Sequence, residues 1–301
     1  MSNYFGELAA LGTAVCWAFT AVFFANSGRK ASADIVNRSR LLIAFLLLSA
    51  THFARFGSWF PWQAESFRWF WLGVSSFLGL VIGDTMLFRA FVMLGPRLST
   101  LLMSIVPIVS ALAGWLLFGE LLLPIEWAGV LLAVGGVAWV VTEKQPGMDM
   151  AAHRTYKQGL LYGVGGAFGQ VANLVTAKYG LVGNFDSLSA TLMRIFVAIL
   201  FLWAWAAFRG HIRTTFQAWR QRSFFLPLLG GSIAGPYLGI WLSLVAISYA
   251  RLGVASTLMA LPPVLLIPVE YFTTRKPISL RGVAGTLLAL FGVALLFLQG
   301  G

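Results

Sequence analysis

Charge is scarce in this sequence. Only 10% of its 301 residues are Asp, Glu, Lys or Arg, against about 25% in soluble domains. A chain with so little charge cannot cover a water-facing surface, which excludes a soluble globular protein. Cysteine is scarcer still: Cys16 stands alone, so neither a disulfide framework nor a cysteine-based metal cluster can form. The three histidines, His52, His153 and His211, include no i, i+4 pair of the kind that builds a helical zinc site. No metal and no other cofactor is expected. Acids are the rarer sign, 10 against 21 bases, for a net charge of +11. In a soluble protein that excess would point to nucleic acid. Here the question is where the cations lie, because 59% of the chain is hydrophobic and its mean hydropathy is +0.83. That apolar fraction also excludes disordered, collagen-like and coiled-coil chains.

A membrane-spanning helix needs about 20 mostly apolar residues. Ten segments meet or approach this: Leu8–Ala25, Leu41–Ala54, Trp69–Leu94, Ser99–Phe118, Ile125–Val141, Gly159–Ala177, Leu188–Phe208, Phe224–Tyr249, Val254–Tyr271 and Gly282–Leu298. Continuous runs with short gaps predict an all-α polytopic membrane protein; a porin-like barrel would need short alternating stretches instead. The first run lacks the basic leader of a secretory signal and reads as the first membrane helix.

The halves repeat. An offset of 156 pairs Ala90 with Ala246, Pro107 with Pro263, Gly129 with Gly285, and Gly79 and Gly83 with Gly235 and Gly239. The offset drifts to 154 at Arg40 and Arg194, and to about 153 at Gly6 and Gly159. The reading is a first five-helix repeat over 1–142, a polar linker over 143–157 and a second repeat over 158–301. Five is odd, so the second copy must enter the membrane from the opposite side. Inverted repeats of this kind mark secondary transporters, with the substrate near the midplane between the halves.

The run Gly83-Asp-Thr-Met-Leu-Phe-Arg-Ala-Phe-Val-Met-Leu-Gly95 leads into Ser99-Thr-Leu-Leu-Met-Ser-Ile-Val-Pro107. Next come Ala111-Leu-Ala-Gly-Trp-Leu-Leu-Phe-Gly-Glu120 and Trp127-Ala-Gly-Val-Leu-Leu-Ala-Val-Gly-Gly-Val137. This succession resembles the third to fifth helices of EamA-type members of the drug/metabolite transporter superfamily. Trp17 and Arg40 also fit the pattern. The resemblance implies ten helices in two inverted five-helix repeats around a central cavity, alternating access, and, among bacterial members, export of amino acids and other metabolites. The second half departs from it: Arg275-Lys276 stands where the family often repeats Gly-Glu.

An ionisable group near the bilayer centre costs several kcal/mol (about 2.5–3.5 on insertion scales) and is a functional candidate by default. The candidates are Asp84, Arg89, Arg194 and Glu270, with Glu7 near a helix end. Asp84 is expected to line the cavity as a carboxylate for an ammonium group or a proton, or to pair with Arg89 or Arg194. Arg194 reads as a carboxylate clamp or as a partner for an acid. Arg40 is expected at the interface, its stem reaching the headgroups. Gln170 and Asn173 lie mid-span and must hydrogen-bond between helices or line the cavity. Thr85, beside Asp84, joins the candidate substrate-binding set. Trp17 and Trp241 suit aromatic cavity walls or core packing, and Tyr237 a cavity hydroxyl. Pro107, Pro262, Pro263 and Pro268 fall in the fourth and ninth segments, which are repeat mates, so paired kinks suggest a hinge or gate. The glycine pairs Gly79/Gly83 and Gly235/Gly239 read as packing seams.

The basic residues also orient the chain. Of the 19 outside the spans, Arg55, Arg68, Lys178 and Arg251 fall in gaps on the side of the termini; the other fifteen fall on the opposite side. The positive-inside rule places those fifteen in the cytoplasm and both termini outside, whereas the family resemblance implies termini inside. The expected activity is secondary transport of small polar organic metabolites, amino acids or related amines, by export across a bacterial cytoplasmic membrane. Coupling is to protons or to an exchanged solute. The expected partners are a small-molecule substrate and the lipid bilayer, with no nucleic acid, in a monomer or homodimer. Exchange of Asp84 for Asn is expected to impair flux and leave folding intact. Export of drugs or lipid-linked precursors is the alternative. A membrane-embedded enzyme is remote, since the three histidines are dispersed.

Overall fold

A computed structural model of the chain describes residues 4–28, 30–103, 105–141, 150–262, 264–266 and 280–297. Among the described residues every regular element is helical. In chain order they are α1 (Phe5–Gly28), α2 (Ala33–Phe56), α3 (Ser66–Ser76), a π-helical segment π1 (Phe77–Gly83), α4 (Asp84–Met103), α5 (Ile105–Phe118), α6 (Pro124–Val141), α7 (Met150–Gly180), α8 (Ser187–Phe208), α9 (Ile212–Trp219), α10 (Arg222–Ser232), a second π segment π2 (Ile233–Gly239), α11 (Ile240–Tyr249), α12 (Leu252–Met259) and α13 (Leu280–Phe297).

Among the described residues, length and apolarity qualify five stretches to cross a membrane: Phe5–Phe24, Ser66–Ala90, Tyr156–Gly180, Ser187–Phe208 and Arg222–Tyr249. Shorter apolar helices cover Ile105–Phe118, Pro124–Gly136, Leu252–Leu266 and Val283–Gly292. Helix α2 is long enough, at 24 residues, but carries Asp34, Arg38, Arg40 and Arg55. Its start is set by Ser32, whose hydroxyl accepts from the Ile35 N–H, and its end by Gly57 at φ 70°, the conformation that glycine enters without cost. Two boundaries differ from the sequence reading. Helix α7 reaches back to Met150, into the expected linker, and α4 runs on to Met103, across the gap expected between the third and fourth segments.

The packing is self-paired. Helix α1 lies against α10, π2 and α11, while α7 lies against α3, π1 and α4; α2 packs on α8, α5 on α12 and α6 on α13. The α6–α13 seam shows the symmetry at atomic detail. A Cβ on Gly136 would stand 2.5 Å from the Ala289 nitrogen, and one on Gly292 would stand 2.4 Å from the Ala133 nitrogen. Backbone meets backbone there, so only glycine fits. As the α6 number rises, its α13 partner's falls, so the mates run antiparallel. Helices α2 and α8 do the same: Arg38 faces Trp203, Phe45 faces Phe196, and His52 faces Ser189. Mates that cross antiparallel, each touching the other through equivalent positions, are what a two-fold relation between inverted repeats requires.

The main buried core lies where these seams meet, with Leu41, Leu48, Leu72, Leu192, Ile195 and Leu244 fully enclosed. A smaller cluster of Phe24, Val36, Ala218, Phe224 and Leu228 closes the end where α9 docks.

Candidate functional site

The two π segments stand 156 residues apart, at the middle of equivalent helices. Each closes on an i→i−5 bond: the Asp84 N–H donates to the Gly79 carbonyl, and the Ile240 N–H donates to the Gly235 carbonyl. Asp84 and Ile240 are thus structural mates. A π turn holds one residue more than an α turn and frequently marks a functional position. Here the glycines of π1 admit Asn173 of α7, and those of π2 admit Thr20 and Trp17 of α1. That seating places polar side chains in the centre of the bundle.

Asp84 is buried, and its carboxylate accepts a hydrogen bond from the Arg40 guanidinium in a buried ion pair. Arg40 is held from three further sides. Its Nε donates to the Asn37 Oδ1 at 3.0 Å, and the rings of Phe24 and Phe88 lie 5.7 and 4.9 Å from its guanidinium carbon. Asn37 in turn donates to the Leu80 carbonyl in π1 at 3.2 Å and to the Thr85 hydroxyl at 3.4 Å. Arg40 is therefore not the interfacial arginine the sequence suggested; a carboxylate one helix away drew it inward. Asp84 pairs with Arg40 and not with Arg89, which is exposed and stacks over the Tyr162 ring at 5.6 Å.

Arg194 is 1% exposed. One of its terminal nitrogens donates to the Asn173 Oδ1, while its Nε has no hydrogen-bond partner. Asn173 also accepts from Ser75, through Oδ1 at 2.8 Å and its carbonyl at 3.0 Å, and donates to the Gln170 Oε1 at 2.7 Å. The Ser76 hydroxyl donates to the Arg194 carbonyl at 2.5 Å. Asp84 lies within Coulombic reach of Arg194. The centre of the bundle thus holds two buried guanidinium groups and one carboxylate among the described residues.

Tyr237 and Trp241, one turn apart, hold their rings tilted to each other with centres 6.4 Å apart. The Tyr237 hydroxyl hydrogen-bonds with Thr51 of α2 at 2.8 Å. Trp17 packs under Gly239. Pro107 is buried in α5, and Pro262 follows the turn that ends α12. Pro263, Pro268 and Glu270 lie outside the described residues.

One end of the bundle is tied by charges that cross between the halves. Arg55 pairs with Asp186 at 3.3 Å. Lys178 pairs with Glu120, whose other oxygen accepts from the Leu252 N–H at 2.8 Å. Arg251 donates to Glu126 at 2.7 Å and to the Leu121 carbonyl at 2.9 Å. Arg68 donates to the carbonyls of Gly180 and Val182 at 3.1 and 2.7 Å. Between Arg55 and these ties, His52 bridges the Ser58 carbonyl and the Ser189 hydroxyl at 2.6 and 3.1 Å. A cavity of about 260 Å³ at this end is lined by Trp115, Glu120, Leu122 and Trp127 among others, none of which was expected in the binding set. At the opposite end the acceptors are neutral: Arg38 donates to the Thr215 hydroxyl at 2.7 Å and the Trp219 indole to the Ser39 hydroxyl at 2.8 Å.

The profile of the EamA-like transporter family matches residues 4–142 and 157–298. The chain belongs to the EamA-like transporter family. Two matches, one per half, account for nearly the whole chain. A crystal structure of a protein 18% identical to this EamA-like chain is similar to it over 99% of this chain and 98% of its own, with a TM-score of 0.78; at that identity the likeness concerns the fold alone. No curated protein matches the chain. The EamA-like chain is an integral, multi-pass membrane protein, and its family is one of membrane transporters.

Asn37, Ser75, Ser76 and Thr51 were missed at the sequence level. Small hydroxyls are common in membrane helices, and only the fold picks out these. Arg40 had a signal that was underused: its repeat mate is Arg194, and a position that carries arginine in both copies is unlike one set by a single headgroup contact.

Proposed function

We infer that this EamA-like protein is a secondary transporter of small polar organic metabolites, with amino acids and related amines as the substrate class. Its ten helices form two inverted five-helix repeats that alternate between exposing a central polar site to one side of the membrane and to the other. Export across a bacterial cytoplasmic membrane, coupled to protons or to an exchanged solute, is the direction and driving force in keeping with the family. Asn173, Arg194, Gln170, Tyr237 and Trp241 line the substrate's path, and Arg40 with Asp84 and Thr85 sets its floor.

One observation carries the reading. Among the described residues three ion pairs at one end, Arg55–Asp186, Lys178–Glu120 and Arg251–Glu126, join the first half to the second, and the buried polar cluster lies where the same two halves meet. The Arg55–Asp186 pair is partly exposed, and such a pair is worth only about 0–1 kcal/mol, so it can be made and broken on the transport timescale.

The test is counterflow of labelled amino acids in proteoliposomes, with Arg55 and Asp186 both exchanged for Cys. Oxidation should lock that end and stop flux, and reductant should restore it. Undiminished flux in the oxidised protein would remove this end from the gating cycle. Absence of counterflow with every amino acid and amine would remove the substrate class.

A further inference from the structure

The internal two-fold relation compares two buried arginines in the same setting. Arg40 and Arg194 are mates on α2 and α8, and α8 packs on π1 and α11 just as α2 packs on π2 and α4. On the first side the position that closes the π turn is Asp84, which neutralises Arg40. On the second side the same position is Ile240, which is buried. Arg194 has therefore lost the carboxylate that its mate keeps. It holds one amide oxygen, and its Nε is unpaired although the side chain is almost wholly enclosed.

A guanidinium buried in a membrane protein without its counter-charge is costly. Asp84 reaches Arg194 only through its longer-range field, and its hydrogen bond goes to Arg40. We propose that Arg194 is the anchor for a carboxylate-bearing solute, whose carboxylate accepts from the Nε that is unpaired in Arg194 and that in Arg40 donates to Asn37. The geometry suits that class: guanidinium groups bind carboxylates in a planar, two-pronged fashion, and the free Nε together with a terminal nitrogen supplies the two prongs. Tyr237 and Trp241 stand near Ile240 on the same helix, at −3 and +1. Asp84 is already engaged, so the site has no free carboxylate for an ammonium group; the carboxylate, and not the amine, is what the site requires. This inference rests on the transporter reading above and narrows its substrate class.

The experiment uses the purified full-length chain in nanodiscs and reads thermal unfolding. Propionate and glycine are compared with propionamide and glycinamide, and with chloride. The acids should raise the midpoint by a few degrees, and the amides should not. Arg194→Gln should weaken the response to the acids at least about tenfold. Ile240→Asp should supply the missing charge from within: it should raise the midpoint without ligand and abolish the response. Equal stabilisation by amides, equal stabilisation by chloride, or a full response in Arg194→Gln would each overturn the proposal. If Ile240→Asp does not fold, the acid-against-amide comparison on the unaltered chain still decides. Counterflow separates the two levels. Amine or sugar flux insensitive to Arg194→Gln keeps the transporter and sinks the carboxylate anchor. Stabilisation by acids with no flux of any solute does the reverse.

Discussion

Asp84 is the residue whose meaning changed most. As an isolated acid in an apolar helix it invites a free cavity carboxylate, and its exchange for Asn would then spare the fold. With Arg40 hydrogen-bonded to it in the core, the same exchange leaves a buried guanidinium alone. Removing one partner of a buried pair costs about 3–5 kcal/mol, while replacing both with apolar residues of similar size is often neutral. Asp84→Asn should therefore lower the unfolding midpoint strongly, and the double exchange Arg40→Leu with Asp84→Leu should recover most of the loss. Chemical or thermal unfolding in detergent checks this; a single variant within about 1 kcal/mol of the parent would show that the pair is not what keeps the core together. Flux measured on Asp84→Asn has to be normalised to folded protein before any role in transport is drawn from it.

At the scale of elements, helix positions were legible because a long apolar run is a strong signal, and the repeat was legible because glycines and prolines recur at one offset. Gly129, Gly136, Gly285 and Gly292 illustrate both. Their spacing was visible in the sequence, and the fold shows why it is kept: α6 and α13 touch through their backbones there. A methyl group at Gly136 or Gly292 has backbone atoms to displace, so each Gly→Ala exchange should destabilise by about 1–3 kcal/mol. The two should cost similar amounts, because the contacts are reciprocal. Unequal effects, as read by unfolding of the two single variants, would mean that the seam is not symmetric. What the sequence hid at this scale was the π segments and α9. A π turn differs from an α turn by one residue and leaves no periodic trace, and α9 is only eight residues long, although Ile212, Thr215, Phe216 and Trp219 carry its helical spacing.

For the molecule as a whole, the basic residues acquire a second meaning. The four that fall on the side of the termini, Arg55, Arg68, Lys178 and Arg251, are each held by an acid or a carbonyl of the other half. Their positions follow from closing that end and so say little about orientation. Of the fifteen on the opposite side Arg40 is buried in the core, and the other fourteen remain as the orientation signal; Arg209, Arg213, Arg220 and Arg222 among them are exposed around α9. Basic loops are retained in the cytoplasm, so a C-terminal alkaline phosphatase fusion, active only outside, should be active and a C-terminal fluorescent protein that folds only inside should be dark. The opposite pattern would place both termini in the cytoplasm and the ion-paired end with them. The substrate was not legible from sequence for a physical reason: it depends on which buried charge lacks a partner, and partners one helix apart are fixed by packing and not by spacing along the chain.

The π segments carry a mechanical consequence. Each stores a single surplus residue near the middle of a helix whose ends are pinned by neighbours. Letting that residue relax into regular α-helix turns everything beyond it by about 100° around its own axis, with almost no travel at either end. Asp84 and Ile240, the first residues past the two segments, would swing away from α2 and α8 like keys leaving their wards. A bundle equipped in this way has twisting in place open to it as well as the rocking of one half against the other.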